Sequence, residues 1–212
     1  MAGQSARLDA KPAKVIERRY KSNFMFRLIL ILSILPIVSA MLARWWFGLR
    51  VLADEGRRTC RCDLASWIPA PGDASVIHRA EKSASEFGAE LRAKALVEWF
   101  ENDPKAASAR ENSRRFGMAV PPLSAVIAVF ALLAGRTPVM GAIAILFAAT
   151  ALAAVFGLLS LPPELRAIAR HARGIRQRKS FPASDDEATV IRCAVAHAWS
   201  ETLPPILRWL QR

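Results

Sequence analysis

Residues 117–161 read GMAVPPLSAVIAVFALLAGRTPVMGAIAILFAATALAAVFGLLSL. The first arm, 117–134, is apolar for about one bilayer thickness. Gly135-Arg136-Thr137-Pro138 then has turn chemistry, and 139–161 is apolar again. At about 1.5 Å per residue, each arm is long enough to cross a hydrocarbon core of about 30 Å. This is the pattern of a transmembrane helical hairpin. The second arm is rich in small residues, among them Gly141, Ala144, Ala148, Ala151, Ala154 and Gly157. Small side chains let backbones approach closely in lipid, so this arm is expected to pack against other helices, with one face suited to a partner membrane protein.

Working outward, the composition agrees with a membrane chain. Of 212 residues, 53% are apolar, and they are gathered in blocks rather than dispersed as in a soluble core. The formal net charge is +12. The Lys and Arg residues stand beside apolar blocks, where retention of loops on the cytoplasmic side and contact with membrane lipids account for them. No nucleic-acid partner is expected, because no binding motif or aromatic–basic interleaving accompanies the charge. Cys60, Cys62 and Cys193 are too few and too unevenly placed for a disulfide framework. Cys60 and Cys62 could hold a metal only with two further ligands, which the neighbouring sequence does not offer. They read as reduced thiols.

Residues 1–22 form a basic tail with Arg7, Lys11, Lys14, Arg18, Arg19 and Lys21. Residues 23–49 are a first apolar segment, with Pro36 inside it and Trp45, Trp46 and Phe47 at one end as an interfacial aromatic belt. This segment either spans the membrane or re-enters at Pro36. Val38-Ser39-Ala40 also loosely resembles a signal-peptidase site, after an unusually long charged region. Residues 50–115 are the soluble helical region. They begin with an irregular stretch whose 67–73 loop holds two prolines and a glycine. A helix over 74–100 follows, with Phe87, Leu91 and Ala95 at four-residue spacing, and then a short helix carrying Arg110, Arg114 and Arg115 to the membrane. After the hairpin, residues 162–212 hold a basic helix with Arg166, Arg170, Arg173, Arg176 and Arg178. A capping box at Ser184-Asp185-Asp186-Glu187 starts a last amphipathic helix, whose Arg192, His197 and Glu201 argue against a further span.

The positive-inside rule places both flanks of the hairpin in the cytoplasm, since its turn carries only Arg136. A single crossing by 23–49 would then put the basic tail outside, unless the segment re-enters at Pro36 or the last helix changes the count.

The helical segment Ala84-Ser85-Glu86-Phe87-Gly88-Ala89 lies shortly before the hairpin, which ends in Leu161-Pro162-Pro163-Glu164-Leu165. In layout, residues 74–212 resemble the small bacterial membrane zinc metallopeptidases with a His-Glu-Val-Gly-His helix. In such a helix two histidines at i and i+4 share one face and bind zinc, while the glutamate polarises the attacking water. On this resemblance the first ligand position falls on Ser85, the glutamate on Glu86, the second ligand position on Ala89, and the third, carboxylate ligand on Glu164. Ser85 is a poor donor for zinc and Ala89 is none, so the resemblance implies a member with no metal, no other cofactor and no catalytic residue in working order, Glu86 and Glu164 being vestigial. Such kinship predicts that the Ser85–Ala89 turn faces Glu164 across a shared pocket. His78, His171 and His197 are scattered, with no pair at ligand spacing; His78 is two helical turns before Ser85.

The sequence therefore predicts an all-α integral membrane protein of a bacterial-type inner membrane, with a transmembrane hairpin, an additional N-terminal span and flanking cytoplasmic helices. Two functions fit: a metallopeptidase-like pseudoenzyme that binds a membrane partner or client, or an unrelated accessory or assembly subunit of a larger membrane complex.

Overall fold

The computed structural model describes residues 10–62 and 81–203, with side chains in the first helix from Phe24 onward. The 67–73 loop, His78 and the Pro204-Pro205 break lie outside the described residues. The described chain is almost entirely helical, and three of its helices are long and apolar enough to cross a membrane. It is an integral membrane protein with a transmembrane hairpin and an N-terminal span.

Helix α1 runs over Ala10–Arg44, continuing through Pro36. It passes through a π-helical turn, Trp45–Leu49, into the short α2, Arg50–Asp54. Of the readings open for residues 23–49, a continuous helix is the one observed. Helix α4 (Pro104–Leu133) and helix α5 (Val139–Leu159) are the arms of the hairpin. The 21 residues of α5 rise about 32 Å, one hydrocarbon thickness. The 30 residues of α4 are longer than that, so its first turns, carrying Arg110, Arg114 and Arg115, stand beyond the apolar run. The short basic helix expected there is thus the start of α4 itself, begun by Pro104 in the first turn and by Asp103, whose carboxylate accepts from Ala106 N at 3.1 Å.

The small-residue arm α5 packs between α1 and α4. Gly141 lies against the Phe26 ring, where an added Cβ would come within 3.1 Å of the ring edge. Further along, Ala151 and Ala154 meet Ile37 and Ala40. These contacts run in the same order along both helices, so α1 and α5 are parallel and α4 is antiparallel to them. The start of the apolar part of α1 therefore lies at the end of the layer that holds the hairpin turn. Packing within the chain takes up the buried small residues of α5, whereas Leu123, Val126, Phe130 and Leu133 of α4 are exposed, as lipid-facing residues would be.

At the other end sits an extramembrane lobe of α3 (Ala84–Asn102), α6 (Leu161–Arg178) and α7 (Ser184–Ser200). A two-stranded antiparallel ribbon, β1 (Thr59–Arg61) with β2 (Glu81–Ser83), closes one side and pairs Cys60 with Lys82. The lobe has its own core of Phe87, Leu91, Ile168, Val190, Cys193 and neighbours. Phe87 and Leu91 are completely buried, worth about 1.5–3 kcal/mol each. Phe87 also meets Phe181 edge-on, with ring centroids 5.7 Å apart. Gly88 is required where α3 crosses α7, because a Cβ there would lie 2.7 Å from Cys193 Cβ and 2.8 Å from Ala194 N.

Two helix starts differ from expectation. The helix read over 74–100 begins at Ala84, since Glu81–Ser83 is a strand and Ser83 with Glu86 forms a reciprocal capping box. The capping box expected at Ser184 is absent. Ala183 occupies the cap position without a side-chain bond, and Glu187 instead pairs with Arg176 at 2.8 Å.

Candidate functional site

The chemistry of the sequence converges where the lobe meets the membrane layer. Glu164, in the first turn of α6, is 1% exposed. A buried carboxylate requires positive partners and hydrogen bonds. Arg92 of α3 donates to one oxygen from Nε at 2.7 Å, and Arg110 of α4 donates to the other from Nε at 2.7 Å. Arg110 also donates from Nη1 to Gly157 O at 3.0 Å and to Ser160 Oγ at 2.6 Å. It thereby satisfies an orphan carbonyl at the C-terminus of α5 and sits at the negative end of that helix. Arg92 continues to Glu201, just past α7, with contacts of 2.9 Å to each of its oxygens. Arg114 reaches Glu201 at 3.6 Å. Burial lowers the pKa of Arg92, but the bonds and charges of Glu201 and Glu164 outweigh it, and the group stands above its ordinary value.

A fourth arginine makes a similar tie. Arg44, buried at the end of α1, donates from Nε to Ser200 O at 3.1 Å, holding the C-terminus of α7. Arginines of α1 and α4 thus bind the lobe to the spans in one zone at the membrane boundary, and Arg92 of α3 joins two carboxylates of the lobe there. Beside them is a cleft of about 230 Å³ in the angle between α3 and α4, with Leu96, Trp99 and Phe100 on one wall and Arg110, Arg114, Glu164 and Glu201 on the other.

The residues singled out in the sequence are distributed as follows. Glu164 lines the cleft; Ser85, Glu86 and Ala89 do not. Arg92, one turn beyond Ala89, is what joins the motif helix to Glu164. Glu86 is exposed and closes the capping box by accepting from Ser83 N at 3.3 Å. Ala89 is exposed. Ser85 meets His197 of α7, whose Nε2 is 3.1 Å from Ser85 Oγ and 3.0 Å from Ser85 O. A carbonyl oxygen can only accept, so Nε2 carries the proton. An imidazole nitrogen so protonated cannot take the serine proton, and the pair is a latch between helices rather than a nucleophile with its base. Burial, followed by the charge of Arg92, holds the His197 pKa below its ordinary value despite the carbonyl bond to Ser85 and the charge of Glu201. His171 pairs with Glu98 at 2.5 Å.

Zinc does not fit this donor set. Ala89 has no ligand atom, Ser85 is engaged by His197, and both oxygens of Glu164 are held by guanidiniums. The three cysteines are buried as thiols, and Cys62 donates to Ser180 O at 3.4 Å. Burial pushes the Cys193 thiol up to about 11, with Glu55 and Cys60 adding to the shift, and burial likewise raises Cys60. Buried neutral thiols of this kind are unreactive.

Sequence reasoning missed the arginine partners and His197. One signal was available: a glutamate at the exit of a span needs a counter-ion when buried, and Arg110 precedes the same hairpin. No such signal marks His197, which is 112 positions from Ser85 and arrives only through the packing of α7 on α3.

Comparison with protein-family models, characterised proteins and solved structures found no match to this chain.

Proposed function

We propose that the protein works without catalysis, as a metallopeptidase-like membrane protein that binds a partner or client in a bacterial-type inner membrane. One observation carries the non-catalytic part of this reading, while the separation of Ser85 and Ala89 from the cleft of Glu164 counts against the kinship. The carboxylate at the third ligand position, Glu164, is completely buried and neutralised by Arg92 and Arg110. Two guanidiniums there supply the positive charge that a metal supplies in a peptidase, and they leave Glu164 neither oxygen free to ligate one. The arginines of α6 and of the start of α4, against the single Arg136 of the turn, support a cytoplasmic lobe, although the parallel α1 puts the basic stretch Lys11 to Lys21 on the side of the turn.

A second reading is an accessory or assembly subunit with no peptidase ancestry. It is favoured by the absence of Ser85 and Ala89 from the cleft that holds Glu164. Both readings assign binding rather than hydrolysis, and they share a first test. Purified protein is assayed for zinc and, with zinc added, for cleavage of an unfolded protein substrate. No retained zinc and no cleavage are expected. Stoichiometric zinc, or cleavage abolished by Glu164→Gln, overturns both.

A further inference from the structure

The geometry points to a binding site for one anionic phospholipid headgroup in the cleft between α3 and α4, with Arg114 as its main contact. This proposal does not depend on peptidase ancestry.

Three observations meet here. The first is charge. Arg92, Arg110 and Arg114 face the cleft with Glu164 and Glu201, while the remaining wall carboxylate, Glu111, pairs with Arg115 at 3.1 Å. With Arg115 counted beside its partner, four guanidiniums meet three carboxylates among the described residues, and one positive charge is left over. That excess belongs to Arg114. Glu201 is already held through both oxygens by Arg92, and Arg114 has only a 3.6 Å contact to it. Arg114 is half exposed, so its planar fork can take two oxygens of a phosphate.

The second observation is depth. Arg110 binds the last turn of α5, and Arg114 lies one helical turn further along α4, just before the apolar run that starts at Gly117. Arg114 is therefore at the level of lipid headgroups, where phosphates are concentrated. The third is the opposite wall. Trp99 is buried against the cleft and Phe100 is exposed beside it, an apolar surface at interfacial depth. At about 230 Å³ the cleft is smaller than the roughly 300 Å³ at which sites for whole small molecules begin. It suits a headgroup whose chains stay in the bilayer.

The test uses the full chain in detergent micelles, with thermal unfolding followed as phosphatidylglycerol or phosphatidylcholine is added. Phosphatidylglycerol is expected to raise the midpoint and phosphatidylcholine to leave it in place. Arg114→Gln should raise the half-saturating lipid concentration about tenfold, equivalent to about 1.4 kcal/mol. Arg170→Gln, which removes an exposed arginine of α6, should leave it unchanged. Native mass spectrometry provides a second readout, with about one phosphatidylglycerol retained per wild-type chain and none on Arg114→Gln. Equal responses to the two lipids overturn the proposal. So do equal losses in the two variants, which would mean diffuse charge. Glycerol 3-phosphate reproducing the full shift overturns it as well, because the ligand would then be a soluble phosphate.

Discussion

Replacing Glu164 by glutamine tests the boundary cluster most directly. The side chain is 1% exposed and accepts from two guanidiniums whose own side chains are 12% exposed. Removing its charge affects the two arginines differently. Arg92 retains Glu201 as a counter-ion, whereas Arg110 keeps only neutral partners, Gly157 O and Ser160 Oγ. One nearly buried cation is thus orphaned. Breaking a buried pair costs about 3–5 kcal/mol, and the remaining neutral bonds of Arg110 set the expectation at the lower end, about 3 kcal/mol. For a chain of this size that is a fall in midpoint of roughly 6–12 °C. Thermal unfolding in micelles would be compared for wild type, Glu164→Gln, Arg110→Gln and the double variant. Removing both partners removes the orphaned charge, so the double variant should be milder than the sum of the singles by about 1.5 kcal/mol or more. A cost below about 1 kcal/mol for Glu164→Gln, or strict additivity, refutes the reasoning.

Gly88→Ala should destabilise by about 1–3 kcal/mol, because its methyl would meet Cys193 Cβ and Ala194 N, whereas Gly174→Ala, with open space around it, should be neutral or mildly stabilising in the same unfolding assay. His197 has a folded-state pKa below its ordinary 6.5, so the unfolded chain binds the proton more readily. Its contribution to stability is complete above about pH 6.5 and is lost as pH falls through the folded value; His197→Gln should flatten the stability profile between roughly pH 7.5 and 5. The parallel arrangement of α1 and α5 predicts that cysteines introduced by Ala10→Cys and Arg136→Cys react with an impermeant thiol reagent from the same side of sealed vesicles, and Arg170→Cys from the other. The three native thiols, buried in the lobe, should stay silent until the protein is unfolded.

The membrane layer was legible because it rests on uninterrupted apolar length, which needs no knowledge of partners. The hairpin arms, their turn and the packed character of α5 all follow from residues 117–161. The basic α6 and the end of α7 near Ser200 were legible from local signals too. The ribbon was not, since Thr59–Arg61 and Glu81–Ser83 are three residues each and become strands only by pairing with one another. The two capping boxes show the limit of a motif: Ser83 and Glu86 close one, while at Ser184 tertiary pairing of Glu187 with Arg176 prevails. In the candidate site, Glu164 was singled out only through the family resemblance, as a ligand position. Its surroundings were not legible, because α3, α4, α6 and α7 each supply one part.

The lobe is interrupted by the hairpin, and this imposes an order on assembly. The apolar face of α3 is completed by α7, and contacts such as Ser85 with His197 span 112 positions of chain. At about 5–20 residues per second, synthesis takes roughly 6–22 s to produce that partner after α3 has emerged. In that interval both membrane arms must be inserted, while Phe87 and Leu91 wait without their main covering. The lobe therefore cannot close until α7 has been made, after both arms of the hairpin.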